Sequence, residues 1–270
     1  MTSIIRVFPR RTSLTPADDL AFIGDPPLWR PEANRVDVSV TFTWDIPEAR
    51  RLAEAWGLYY PDVAIGGPAL GSPSTGFVSG RYIKEGVTFT SRGCDGHCPW
   101  CLVPEREGPL WLESHFPDGH VIQDNNFLAC PPSHRARVYD MLLRQPKAAV
   151  FAGGLDSRLV TETVASELRS IRIDTVFLAA DTLGALPPLA LALERLAFLG
   201  REKLRCYVLC GWNGETIEQA ERRLEAVWQM GAMPFAQLYQ PSDRRLQYSG
   251  DWTRLQKAWS RPAIMKAAHR

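Results

Sequence analysis

LRCYVLCGWNGETIEQAERRLEAVWQMGAMPFAQLYQ, residues 204–240, reads as two apolar strands joined by one amphipathic helix. Ile217, Ala220, Leu224, Val227 and Trp228 recur at helical spacing, with charges on the opposite face. Gly231 follows the last apolar position, where a helix C-cap is expected. A strand, a crossover helix and a second strand of this length form a parallel unit.

Working outward, the same alternation recurs. VTFTS (87–91), HVIQDNNF (120–127), AAVFAGG (148–154) and DTVFLAA (174–180) precede LRCYVLCG (204–211) and MPFAQLYQ (233–240), which makes six candidate strands. SHRARVYDMLLRQ, RLVTETVASELRS and PPLALALERLAFLG supply further helical patterns between them, Pro187 and Pro188 opening the last and Gly200 closing it. Six consecutive units predict a partial (β/α)6 TIM-like barrel over residues 81–270, ending in a C-terminal helix. Chemistry then belongs at the C-terminal ends of the strands. Residues 1–80 predict a small Rossmann-like α/β extension, in which RVDVSVTFTW, IPEARRLAEAWG and DVAIGGPALG form one strand-helix-strand unit. The preceding FPRRTSLTPADDLAFIGDPP reads as loop with one short strand, and GGPALGSPSTG (66–76) as a flexible connection into the barrel.

Charge adds little, because 31 basic and 30 acidic residues leave a net charge of +1 and no global field for nucleic acid or an anionic membrane. No run of about 18 apolar residues and no basic-then-apolar leader is visible, so a cytoplasmic protein without a membrane partner is expected. Six cysteines in such a chain, three of them clustered, fit metal ligation better than a disulfide framework.

That cluster is CDGHCPWC, residues 94–101, placed directly after the first barrel strand. Cys94, Cys98 and Cys101 are spaced CxxxCxxC, and three thiolates leave a fourth position open on a zinc ion or an iron-sulfur cluster. His97 could close a zinc site instead. Gly93 and Gly96 would let the loop curl tightly.

The loop TSRGCDGHCPWCLVP resembles the cluster motif of the radical S-adenosylmethionine (radical SAM) enzymes, in which an aromatic residue, here Trp100, precedes the third cysteine. The units behind it match that family's partial barrel in order and length, and the resemblance covers about residues 81–265. It implies a [4Fe-4S] cluster on Cys94, Cys98 and Cys101, with S-adenosylmethionine chelating the unique iron and cleaved reductively to a 5′-deoxyadenosyl radical that abstracts a substrate hydrogen. It also implies a reducing partner such as flavodoxin or ferredoxin, and a small-molecule or nucleotide-like substrate.

The resemblance further implies cofactor contacts at the strand ends. QDNNF offers Asp124, Asn125 and Asn126 for the methionyl amino group, although the family's usual Gly-Gly-Glu is absent, and an Asx-turn is the alternative. In GGLDSR, Gly153 and Gly154 permit close approach while Asp156 and Arg158 could clamp a carboxylate; Asp156 could equally cap the next helix. Asp181 would accept from ribose hydroxyls or cap its own following helix. Leu209, Gly211 and Tyr239 fall where the family contacts adenine, and Trp212 is either packing or a ligand contact.

Cys206 and Cys210, four apart on a strand, read as small buried hydrophobes; an auxiliary cluster built with Cys130 is the alternative, and one cluster is expected. The N-terminal unit is similar to the end of the cobalamin-binding domain that precedes some radical SAM barrels, but it is short and contains no histidine, so cobalamin is not expected. The tail from Asp243, with seven Lys/Arg, two Asp and interleaved Tyr248, Trp252 and Trp259, reads as an amphipathic helix with a basic face. Such a mixture can also bind nucleic acid, for which nothing else in the sequence speaks. Two alternatives to hydrogen abstraction stand: a radical methyl or methylthio transferase, and a non-catalytic zinc-binding protein.

Overall fold

The computed structural model describes residues 3–70 and 81–269. The fold is mixed α/β, built on two parallel sheets with helices. It divides into two compact units, Met1–Val87 with Ser242–Arg245, and Thr88–Pro241 with Leu246–Arg270. From residue 71 to 76 the expected Gly/Ser/Pro connection lies outside the described residues.

The first unit holds β1 (Ile4–Phe8), β2 (Ala21–Ile23), β3 (Arg35–Ser39), α1 (Ile46–Gly57) and β4 (Val63–Gly66), in the sheet order β2-β1-β3-β4. All three strand pairs are parallel. Ile5, Val7, Val36 and Val38 alternate along their strands and are fully buried, and α1 presents Ala49, Leu52 and Trp56 to the same core. The Trp56 indole N–H donates to the Gly24 carbonyl at 3.1 Å, and its ring packs against Phe22 and Tyr60.

The expected strand-helix-strand unit is present, as is the short strand at 21–23, but β1 was not foreseen and lies between two partners. Its five residues are followed by a helix-free connection, so no crossover pattern announces it. Hydroxyl bonds hold that connection together: Thr12 N–H donates to Thr15 Oγ1 at 2.8 Å, and Arg6 pairs with Asp18.

The second unit carries the six-stranded sheet. Its strands are β5 (Val87–Thr88), β8 (Val121–Ile122), β9 (Ala149–Phe151), β10 (Ile173–Ala179), β11 (Leu204–Cys210) and β12 (Met233–Leu238). Sheet order follows chain order from β5 to β12, and the pairs from β8 onward are parallel. Four crossovers contain α3 (Pro132–Leu143), α4 (Glu162–Arg169), α5 (Leu186–Arg195) and α6 (Ile217–Gln229).

The first crossover differs. It holds β6 (Ser91–Arg92) paired antiparallel with β7 (Trp111–Leu112), and between them the five-residue α2 (Val103–Glu107). The cysteine loop occupies this place. The tail forms α7 (Gly250–Ser260) and α8 (Pro262–Ala268), whose Leu255, Trp259 and Met265 enter the core. The expected terminal helix is therefore two.

Local signals account for the boundaries. Thr216 and Gln219 form a reciprocal capping box on α6, Thr161 Oγ1 caps α4 by accepting from Val164 N–H at 3.2 Å, and prolines open α5. No described helix is long and apolar enough to cross a membrane. Replacing Trp56 by Ala is expected to cost about 3–5 kcal/mol, since it empties a fully buried site and orphans the Gly24 carbonyl. Urea unfolding followed by far-UV circular dichroism will measure that loss.

Candidate metal and cofactor site

Polar and sulfur side chains converge where β5, β8, β9, β10 and β11 end. The chain leaves β6 through Gly93, whose φ of 70° is left-handed and whose missing Cβ would lie 2.0 Å from the Pro109 carbonyl oxygen. Only glycine fits there. Cys94 N–H then donates to the Gly108 carbonyl at 3.2 Å, which closes the base of the loop.

Glu107, the last residue of α2, is the clasp. One carboxylate oxygen accepts from Gly93 N–H at 3.1 Å and from Asn125 Nδ2 at 2.6 Å, while the other pairs with the buried guanidinium of Arg92. Arg92 also stacks on Phe89, 4.2 Å from the ring centroid. Sequence reasoning did not single out Glu107; its role depends on a strand end that is distant in the chain.

The three loop thiols share one electrostatic environment. Cys94 Sγ accepts from Gly96 N–H at 3.3 Å and lies 3.9 Å from Asn126 Nδ2, and Cys101 N–H donates to the Cys98 carbonyl at 2.9 Å. Burial first, and then the charges of its neighbours Cys101, Asp181 and Cys94, push the Cys98 thiol up, while Arg158 opposes them. Cys101 is pushed up mainly by burial as well, with Cys94, Asp181 and Glu107 adding to it. Cys98 and Cys101 are therefore not the pre-ionised kind that serve as nucleophiles. A bound cation reverses that balance, since it favours the thiolates that crowding disfavours.

Trp100 packs edge-on against Trp212, with centroids 5.0 Å apart, and hydrogen-bonds Asp181. Asp181 Oδ1 also accepts from Leu209 N–H at 3.0 Å, and burial raises its carboxyl. It does not cap α5, whose N-cap is Ala185. Asp156 likewise leaves α4 to Thr161: it accepts from Arg158 N–H at 3.0 Å and forms a two-pronged pair with the Arg158 guanidinium. Asn126 precedes a single 3-10 turn without capping it through its side chain, and its buried Oδ1 has no hydrogen-bond partner.

Not every candidate joins this group. Asp124 is buried and fully engaged: its carboxylate accepts from Thr90 N–H at 2.6 Å, Thr90 Oγ1 at 2.5 Å and Ser91 Oγ at 2.8 Å. Asn125 is held by Glu107. Gly153 backs directly onto Asp124, where a Cβ would come within 1.9 Å of the Asp124 carbonyl, and Gly154 adopts a φ of 96° above the Tyr207 ring. Gly211 N–H bonds Glu215 at 2.9 Å, and Tyr239 is tied through its carbonyl to the Tyr248 hydroxyl at 2.8 Å.

A second group was not foreseen. Asp124, Cys130 and His134 place potential ligand atoms within 4.8 Å of one another, the one trio of its kind among the described residues. A single tetrahedral zinc would draw sulfurs to about 3.8 Å, from bonds of about 2.3 Å; the loop thiols do not meet the 4.8 Å spacing as a trio. In the buried trio the donors are already committed. The Thr90 hydroxyl gives its one proton to Asp124, so it can only accept from His134 Nε2, 3.1 Å away. Burial keeps His134 neutral by lowering its pKa, and pushes the Cys130 thiol up to about 11. The arrangement is a hydrogen-bond lock beneath the cysteine loop.

The chain matches no family model and no curated protein. Its chemistry therefore has to be read from this geometry. Asp124→Ala is expected to lower stability by about 3 kcal/mol or more, because three buried donors lose their acceptor. Asp124→Asn, which retains one acceptor oxygen, should lie between the two in a urea titration.

Proposed function

We propose that this chain is a radical SAM enzyme, in which Cys94, Cys98 and Cys101 hold a [4Fe-4S] cluster at the C-terminal mouth of a partial (β/α)6 barrel. The observation that carries the reading is the position of the three-thiol loop: it is clasped at its base by Glu107 and stands among the strand ends beside Asp181, Arg158 and Trp100. The sequential order of the six-stranded sheet supports the barrel, since its strands lie side by side in the order in which the chain visits that sheet.

The donor set fits the group. Three thiols, without a fourth protein ligand drawn in, leave one metal position for a small molecule. The unpartnered Asn126 Oδ1 offers a buried acceptor next to Cys94, suited to an amino group. What the cluster supplies when bound is one electron for reductive cleavage of the sulfonium, giving methionine and a 5′-deoxyadenosyl radical that takes a substrate hydrogen.

The chain's own residues do the rest. Arg158 offsets negative charge at Cys98 and Cys94, and its guanidinium is exposed enough to take a ligand carboxylate as well as Asp156. Asp181 has acceptor capacity beyond Leu209 and Trp100, as a ribose hydroxyl requires. Trp100 and Trp212 wall the site and keep water from a reactive intermediate. Gly153 packs its backbone against Asp124, and Gly154 supplies the left-handed turn at the end of this strand. The enzyme would work in the cytoplasm on a small-molecule or nucleotide-like substrate, reduced by a flavodoxin- or ferredoxin-type partner, without cobalamin.

Protein purified anaerobically is expected to be brown, to hold about four irons per chain, and to form 5′-deoxyadenosine from S-adenosylmethionine under reduction. Cys98→Ala should abolish that cleavage while the far-UV spectrum stays unchanged. Substituting Cys130, Cys206 and Cys210 together should leave the iron content intact. Colourless, zinc-loaded protein defeats the proposal, and S-adenosylhomocysteine as the main product turns it toward methyl or methylthio transfer.

A further inference from the structure

The six-stranded sheet has two unlike faces. Along β11 the residues alternate: Leu204, Cys206, Val208 and Cys210 are buried in the helix-side core, while Arg205, Tyr207 and Leu209 on the other face are half-buried. Register carries the second face across its neighbours, pairing Phe177 with Arg205 and Tyr207 with Phe235. Phe177 and Tyr207 stack at 4.4 Å, and Phe235 meets both edge-on, at 6.4 and 5.8 Å. The Tyr207 hydroxyl donates to the Ala152 carbonyl at 2.9 Å, which fixes this aromatic floor directly below the Gly153–Gly154 turn.

Arg205 is the anomaly on that floor. Its guanidinium makes no hydrogen bond or ion pair among the described residues, and its buried Nε has no partner. Its one specific contact is with the Phe177 ring, 5.8 Å from the centroid. Glu202, the nearby carboxylate, is held by Lys266 at 2.8 Å. The Arg205 side chain is half-buried, and a sealed donor left unpaired in this way costs free energy. Five donors in a planar fork match a carboxylate or a phosphate.

We propose that this face binds an anionic substrate, whose carboxylate or phosphate pairs with Arg205 and whose flat or apolar body lies on Phe177, Tyr207 and Phe235. The proposal rests on the enzymatic reading above and names the substrate class of that enzyme. Leu209, at the thiol-bearing end of β11, lies four positions beyond Arg205, about 13 Å along an extended strand. The substrate is therefore a molecule on the order of 10 Å long, anchored by its anion at depth and presenting its far end to the mouth.

The test is calorimetric titration of the anaerobically purified full chain with phenyl phosphate and with benzoate, using inorganic phosphate and phenol as controls. One of the two ring anions should bind more tightly than either control, and which one does so separates phosphate from carboxylate. Arg205→Gln should weaken that binding roughly tenfold or more, a change of about 1.4 kcal/mol. Phe235→Leu should weaken the ring anion and leave inorganic phosphate unchanged. If Arg205→Gln does not fold, Arg205→Lys decides: it keeps the charge, loses the fork and should bind severalfold more weakly. Unchanged affinity in the folded Arg205 variant overturns the proposal, as does inorganic phosphate binding as tightly as the ring anions, or neither ring anion binding at all. Iron content measured on the same sample tests the cluster reading separately.

Discussion

The carboxylate of Asp124 ties the end of β8 to the residues that follow β5. Three donors from Thr90 and Ser91 converge on it in a dry setting, so the direction in which the chain leaves for Arg92, Gly93 and Cys94 is fixed. His134, from the first turn of α3, braces the same hydroxyl from behind, and Gly153 abuts the Asp124 backbone from β9. A polar network fully satisfied in a low-dielectric setting is rigid, and one missing partner makes it a liability. That rigidity is what lets a helix-poor crossover of some thirty residues present three sulfurs at a defined place.

Above this lock the loop faces an electrostatic conflict. Thiols, Asp181 and Glu107 all carry or acquire negative charge at close quarters, and each raises the cost of ionising the next. Arg158 and the buried Arg92 relieve part of it, but Arg92 is spent on Glu107 and Arg158 is shared with Asp156. Ionising the thiols here would need positive charge beyond what these two arginines supply, as the proposed cluster would provide.

Much of the architecture was legible in the residues. All six strands of the larger sheet and its four crossover helices fall where periodicity and glycine or proline punctuation place them, because amphipathic faces against a parallel sheet leave a direct imprint on sequence. β1 escaped, since five residues with an arginine at their centre and no crossover helix behind them carry no periodic signal. The cysteine loop was legible through spacing alone. Glu107, Thr90, Ser91 and His134 were not, because each acts through a partner 14 to 44 positions away. Asp181 illustrates the same limit: local rules let it cap α5, yet Leu209 and Trp100 claim it, whereas Asp156 acts locally, capping the 3-10 turn Ser157–Leu159 through Arg158 N–H rather than α4.

The two faces of the larger sheet show where tertiary pressure and function part. On the helix side, Cys206 and Cys210 are sealed in apolar surroundings and their thiols are pushed far from ionisation by burial, so they behave as small hydrophobes. On the other side the same strand alternates into Tyr207, held by the ring stack and by Ala152, and Arg205, which has no polar partner among the described residues. Burial lowers the pKa of Arg205, against the pull of Tyr207 and Glu202. Arg205 thus stands without a polar partner above a ring stack already held by Tyr207 and Ala152, and the proposed anionic ligand would complete it.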